Sequence, residues 1–398
     1  MALTKSTDLT HSAVVNYQKE AMIYAAGEEV WGQFVDWEAP IPNDGGNAAS
    51  YDYLAYGELD PALTALTEDA DVTPQVLTDY NVTLTPTEYG NAVGRTQLAA
   101  FKSRAKTQAA FGKIIGLNRT RSVDRLLRNG ILANTQVMYA GSATARTGLD
   151  TTNDLPTYDW LTNLVATAEN MGMEPQDGTN YVSIINPQTA RELMKLTEFR
   201  SPRYYLGSDV GGDLYKGEIG LLAGIRFIKN RFGKVYLSGG TVAQAATTLN
   251  GAVSAGATTI ILTSGTGVAV GDYLTIGTLE SNTAEQVQVT NIDATPTIVV
   301  KGVGQGPSGF GLRFDHANLA AVTEAVNVGA IPLLGRNSIK GVYGQRTGQY
   351  GEFDITQGLD IMRRFVYFWW YWFGGLGIVE RYVIRGECAI TGGVIGYN

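Results

Sequence analysis

Fifteen consecutive residues near the end of this chain, Phe365 to Val379 (FVYFWWYWFGGLGIV), are aromatic, aliphatic or glycine, and none is charged. A bilayer-spanning helix needs about 20 apolar residues. This run is shorter, holds three glycines and is bracketed by Arg363-Arg364 and Glu380-Arg381. It therefore reads as a buried strand pair or a subunit-interface strand rather than a membrane element. A chain with such a segment must cover it with other parts of itself or with another protein.

The 398 residues suffice for more than one core, and a hydrophobic fraction of 44% with 17% charged residues is that of a globular protein. Cys388 is the single cysteine, so no intrachain disulfide can form. With His11 and His316 as the only histidines, neither a metal site nor a cofactor is expected. Met1 to Thr10 has no apolar segment behind a basic start, so no secretory signal is expected.

Charge is divided along the chain. Residues 1–94 carry fifteen acids against Lys5 and Lys19, a net of −13, whereas residues 95–128 carry nine bases against Asp124, a net of +8. Opposite charge in adjacent segments suggests mutual attraction, within a subunit or between neighbours. A solvated helix face accounts for the basic segment equally well, and a nucleic-acid interface less well, because few aromatics are interleaved with the bases.

Periodicity predicts a helical arm over 13–38, an extended loop over 40–60 and two strands within Leu66–Val93. A long helix follows over Arg95–Leu127, bent or broken near 116–120 by Gly112, Gly116 and Asn118 and stopped at Asn129-Gly130. A second helix starts near Thr157, with Leu161, Leu164, Val165 and Ala168 on one face. A strand over Tyr181–Ile185 then enters a third helix through the cap pair Asn186-Pro187. Residues 215–230 read as a turn, an apolar run and a strand. Between Thr241 and Leu312 only five of 72 residues are charged, and four strand candidates are spaced by turn signals: 258–263, 273–276, 285–289 and 297–301. This reads as a small all-β module inserted into an α+β domain. The parent fold resumes at 314–344 and ends in strands near 365–371 and 377–384.

No catalytic motif stands out. Gly304-x-Gly306-x-x-Gly309 contains Pro307 and opens no helix, so a glycine-rich hairpin is favoured over a dinucleotide loop. Asp315-His316 lacks a nucleophile and reads as a strand-end hydrogen bond. The acid pairs Glu28-Glu29 and Asp69 with Asp71 read as surface carboxylates. The chain is therefore expected to be a structural subunit and not an enzyme.

Several segments occur in a familiar order. An acidic loop precedes a basic helix; Tyr181-Val-Ser-Ile-Ile-Asn-Pro187 follows, then Gly217-Glu-Ile-Gly220 with Leu222-Ala-Gly224-Ile-Arg-Phe-Ile228, then Ile331-Pro-Leu-Leu-Gly335 and the apolar strands near Val379–Ile384. This order resembles the major capsid proteins of tailed bacteriophages with the Hong Kong 97-type fold, and among them the podophage N-four group. The resemblance implies an N-terminal arm over 1–40 and an extended β-hairpin loop over 41–94. It implies the spine helix, peripheral domain and start of the central domain over 95–240, and the remaining central or axial and peripheral parts over 313–398. The all-β module, Ig-like or barrel, would occupy 241–312. The implied partners are further copies of the chain, as hexamers and pentamers of an icosahedral shell, with portal, scaffolding and decoration proteins and packaged double-stranded DNA; no membrane is implied. The implied location is the virion, assembled in the bacterial cytoplasm. An encapsulin-like or tail-tube protein, or an enzyme with an unrecognised site, is the alternative.

Combining this layout with the charge division gives one expected contact. Glu58, Asp60, Glu68, Asp69 and Asp71 of the loop would dock on Lys102, Arg104, Lys106 and Lys113 of a neighbour's helix.

Overall fold

A computed structural model describes residues 30–42, 49–54, 68, 79–102, 107–200, 218–239, 247–277, 283–302, 311–348, 351–357, 364–379 and 382–391. The chain forms two compact units, Met1–Ile131 with Ile339–Val379, and Leu132–Ser338 with Glu380–Asn398.

The first unit opens with strands β1 (Asp36–Trp37), β2 (Ala49–Leu54), β3 (Asp79–Leu84) and β4 (Thr87–Thr96), followed by helices α1 (Gln97–Lys102) and α2 (Thr107–Ile131). The second unit then contributes β5 (Val137–Tyr139), α3 (Tyr158–Asn170), β6 (Tyr181–Ile185), α4 (Pro187–Leu193), α5 (Thr197–Arg200), β7 (Glu218–Leu222), β8 (Ile225–Lys229) and β9 (Val235–Gly239). It continues through β10 (Thr247–Thr248), β11 (Thr259–Ile261), β12 (Tyr273–Ile276), β13 (Glu285–Ala294), β14 (Thr297–Gly302) and β15 (Ala321–Leu334). The chain returns to the first unit for β16 (Ile339–Tyr343), β17 (Glu352–Gln357) and β18 (Phe365–Ile378), and ends in the second with β19 (Val383–Ile390).

The apolar run is not a strand pair. β18 continues unbroken through Gly374-Gly375, because β4 pairs one of its edges from Phe365↔Thr96 to Gly374↔Thr87, and β17 and β16 pair the other edge in succession. Backbone groups held on both edges leave no freedom for a turn. β1 extends this sheet by pairing parallel to β16.

Side chains of β18 alternate between two faces. Val366, Phe368, Trp370 and Trp372 are buried beneath α2. The rings of Phe111 and Phe368 are 5.7 Å apart, and at the far end a Cβ on Gly130 would lie 2.9 Å from Leu376. The helix therefore runs along the strand. Nineteen helical residues span roughly 28 Å and eight strand residues roughly 26 Å, so the two stretches between these contacts match in length.

Helix α2 shows no break at 116–120. Ile115, Val123 and Leu127 are buried on one face, the Thr120 hydroxyl donates to the Gly116 carbonyl at 3.1 Å, and the Asn118 side chain accepts from Trp370 Nε1 at 2.9 Å. Packing on β18 outweighs the low helix propensity of the glycines. Arg95 and Thr96 belong to β4 rather than to the helix.

Two expectations near the N-terminus are corrected. Of the predicted arm 13–38, residues 13–29 lie outside the described residues, and the remainder is a 3-10 turn (Trp31–Phe34) running into β1. Trp31 is fully buried, and the Asp124 carboxylate of α2 accepts from the backbone N–H of Val30 and Trp31. The predicted loop 40–60 contains β2, paired with β3 from Ala49↔Leu84 to Leu54↔Asp79. Its sequence, ASYDYL, carries the alternation that suits a strand.

In the second unit the hub is β15, which pairs along its length with β10, β12, β9, β19 and β6. Helices α3 and α4 start where expected. Thr157 accepts from the Trp160 N–H and Asn186 from the Gln188 N–H, with Pro187 at the first helical position. α3 buries Trp160, Leu161, Leu164 and Ala168 in a core that also holds Tyr181, Phe227, Ile331 and Ile384. β11 to β14 occupy the four predicted strand positions and, with Leu249, Leu312 and Val322, enclose a separate cluster that includes Ile260, Leu274, Val287 and Ile298.

Gly375 has no room for a side chain, since a Cβ there would fall 2.5 Å from the Thr85 carbonyl oxygen and 3.1 Å from Pro86 Cα. Gly375→Val should destabilise the protein by about 1–3 kcal/mol, measurable as a lowered midpoint in denaturant unfolding.

Candidate assembly surface

Of the nine charged residues expected to pair between subunits, the structure describes the side chains of Glu68 and Lys113. Both are exposed, Glu68 in a turn and Lys113 on α2. The side chains of Glu58, Asp60, Asp69, Asp71, Lys102, Arg104 and Lys106 lie outside the described residues, as does the glycine motif 304–309.

The surface that stands out was not anticipated in this form. The second face of β18 divides into two halves. In its C-terminal half, Gly375 and Gly377 make room for the chain segment through β3, and Val82, Leu84, Ile41 and Val342 form a small core there. In its N-terminal half, Phe365, Tyr367, Trp369, Tyr371 and Phe373 point to the same side, and none of the five is fully buried. Opposite them on β4 stand Gly94, Ala92 and Gly90, all exposed. The result is a row of partly buried rings, Tyr367 lying against Gly94, with Glu88, Asp354 and Glu352 at its margins. Burial pushes the Tyr371 phenol above its ordinary pKa, the hydrogen bond it donates to Glu88 (3.0 Å) and the Glu88 charge push it further, and Arg346 opposes them. Large exposed apolar side chains of the same unit lie close in sequence: Leu98 and Phe101 on α1, 62% and 88% exposed, and Ile114 on α2.

Several charged groups elsewhere hold the fold. In the second unit Glu387, fully buried, takes both ends of the Arg146 guanidinium at 2.8 Å and lies 2.8 Å from Arg385 Nε; Arg146 stacks on Tyr236 at 3.7 Å. His316 pairs with Glu285 at 2.8 Å rather than with Asp315, which accepts from the Ala255 N–H. The same Glu285 carboxylate accepts from the N–H groups of Arg313 and Phe314, so this cluster is a strand-end clamp. In the first unit the buried Lys340 bridges Asp36 and Glu38, fastening β1 to β16. The Cys388 thiol is driven far above its ordinary pKa by burial, then by Glu192 and Glu387. Among the described residues no group of three or more His, Cys, Asp or Glu is placed to hold a metal ion, and no helix is long and apolar enough to cross a membrane.

Burial pushes the Glu192 carboxyl up, but hydrogen bonds from Lys195, Thr391 and Arg191 outweigh it and hold the pKa below the ordinary value. A carboxyl with a folded pKa below its unfolded value of about 4.3 adds stability at neutral pH. That stability is lost as the pH falls through the folded value. Glu192→Gln should therefore lower stability at pH 7 and flatten its pH dependence between about pH 5 and pH 3. Denaturant titrations across that range measure this.

The profile of a family described as phage capsid protein matches residues 57–278, more than half of the chain. No curated protein matches. Among solved structures, the capsid of Ralstonia phage GP4 is 11% identical, with a TM-score of 0.52 over 91% of this chain and 89% of its own. The capsid of cyanophage P-SCSP1u is 11% identical (TM-score 0.45, covering 91% and 89%), and the mature capsid of bacteriophage PhiM1 is 10% identical (0.46, covering 90% and 87%). The likeness to the GP4 capsid is one of fold.

Proposed function

The chain belongs to the phage capsid protein family, and on that premise we propose that its copies assemble as hexamers and pentamers into an icosahedral head of the Hong Kong 97 type around double-stranded DNA. It is a major capsid protein, a structural component of the virion and not an enzyme. The match over residues 57–278 carries this reading. Tyr367 on β18 and Leu98 and Phe101 on α1 support it, as large apolar side chains exposed on the same unit.

Within the shell, residues 1–40 act as the N-terminal arm and 41–94 as the loop that reaches a neighbour. The all-β module at 241–312 lies on the outer surface, while portal, scaffolding and decoration proteins and the packaged DNA are the further partners. The charge division favours docking of the acidic loop on the basic helix of the next subunit. One exposed pair contributes about 0.2–1 kcal/mol, so the effect depends on repetition through the shell.

Recombinant protein should form closed shells of megadalton mass, seen by electron microscopy and light scattering. A stable 42.7 kDa monomer under all assembly conditions would overturn the reading. Reversing Lys102 and Arg104 together to Glu should impair shell formation while circular dichroism shows a folded subunit. Normal shells from that variant would sink the loop contact alone.

A further inference from the structure

We propose that Lys340 and Asp36 condense into an amide bond inside the subunit, with Glu38 carrying the protons, so that β1 becomes covalently tied to β16. The bond lies within one chain, so it stands or falls independently of the capsid reading.

Three placements carry this. The first is register. Asp36 and Lys340 are direct partners across the parallel pair β1–β16. The pairing is held on past them, because the Glu38 N–H donates to the Gly341 carbonyl at 2.8 Å and the Ile41 N–H to the Tyr343 carbonyl at 3.0 Å. β18 pairs the other edge of β16, with Gly377 opposite Lys340. Backbones fixed in this way hold the two side chains together. The second is burial. The Lys340 side chain is only 5% exposed, and its Nζ meets Asp36 Oδ2. Alternation puts Lys340 on the same face of β16 as Val342, which packs with Ile41 and Leu84 in the small core of this unit. The third is Glu38. It lies two residues after Asp36, and its Oε1 is 3.2 Å from the same Nζ.

One carboxylate suffices to neutralise a buried amine. Here one carboxylate stands at bonding approach and a second stands beside it, which is the arrangement that amide formation needs. Free amines and acids do not condense appreciably in water. Groups fixed in reacting geometry reach effective molarities of roughly 10⁵–10⁸ M, which favours the joined product. In the step, Glu38 takes a proton from the Lys340 ammonium, and the freed amine attacks Asp36 Cγ. The N–C bond forms and one C–O bond of Asp36 breaks. Of the three ammonium protons one stays on the amide nitrogen. The other two pass through Glu38 to the departing oxygen, which leaves as water through the half-exposed side of Asp36. Nothing is oxidised or reduced, and Glu38 ends as it began. The joined residues are 304 positions apart, so the bond would hold the two-residue strand β1 on the sheet even when the chain between them unfolds.

Intact mass spectrometry of the denatured wild-type protein, after days folded at neutral pH, tests this. The expected result is a mass lower than that of the sequence by one water, with a branched peptide joining the segments around 36 and 340 after proteolysis. Asp36→Ala and Lys340→Arg should each restore the full mass. Glu38→Gln should slow the loss at least about tenfold while circular dichroism shows a folded protein. Full mass in the folded wild-type protein overturns the proposal, and so does a water loss that maps to any other site, such as a cyclic imide at an aspartate. Loss at the wild-type rate in Glu38→Gln overturns the part given to Glu38. The decisive reading is made on the wild-type chain, so a variant that fails to fold does not protect the proposal.

Discussion

Helix α2 lying along the buried face of β18 is the contact on which the first unit depends. It places Phe111 against Phe368 at one end and Gly130 over Leu376 at the other. The Asn118 side chain satisfies the indole N–H of Trp370 inside that contact, so a polar ring nitrogen is buried without penalty. Because α2 claims only the even-numbered residues, the odd-numbered ones must be covered from elsewhere. The segment through β3 covers those nearest the end of the strand, where glycine replaces aromatic residues.

The second unit is organised differently. Its hub strand β15 gathers five partners, and two of its carboxylates are turned inward to fasten strand ends. Glu387 between Arg146 and Arg385 is one such clamp, and Glu285 with His316 and two backbone N–H groups is another. A buried carboxylate fully matched in this way is costly to break, since removal of either partner strands the other charge. These residues resemble catalytic groups in composition, yet each is fully committed to holding the fold, as suits a subunit whose work is mechanical.

How much could be read without coordinates depended on the range of the signal. The starts of α3 and α4 were legible because Thr157 and Asn186-Pro187 act within a single turn. The strands of 258–301 were legible because turn residues bracket each. The continuity of β18 was not legible, because whether Gly374-Gly375 turns is decided by β4 and β16, remote in sequence. The persistence of α2 past Gly112 and Gly116 was hidden for the same reason. His316 was placed at a strand end, but its partner Glu285 lies 31 residues away and no local pattern names it. For the assembly site, the aromatic run was recognised as apolar and in need of cover, yet only the pairing register shows which five rings share the face turned away from α2.

The central claim is that copies of the subunit complete one another in a shell, with the second face of β18 as part of the contact. Amide hydrogen exchange compared between unassembled subunit and closed shell tests this most directly. Residues 87–96 and 365–373 should become at least tenfold slower to exchange in the shell, while the hub strand β15 changes little. Equal exchange of those two segments in both states would contradict the account.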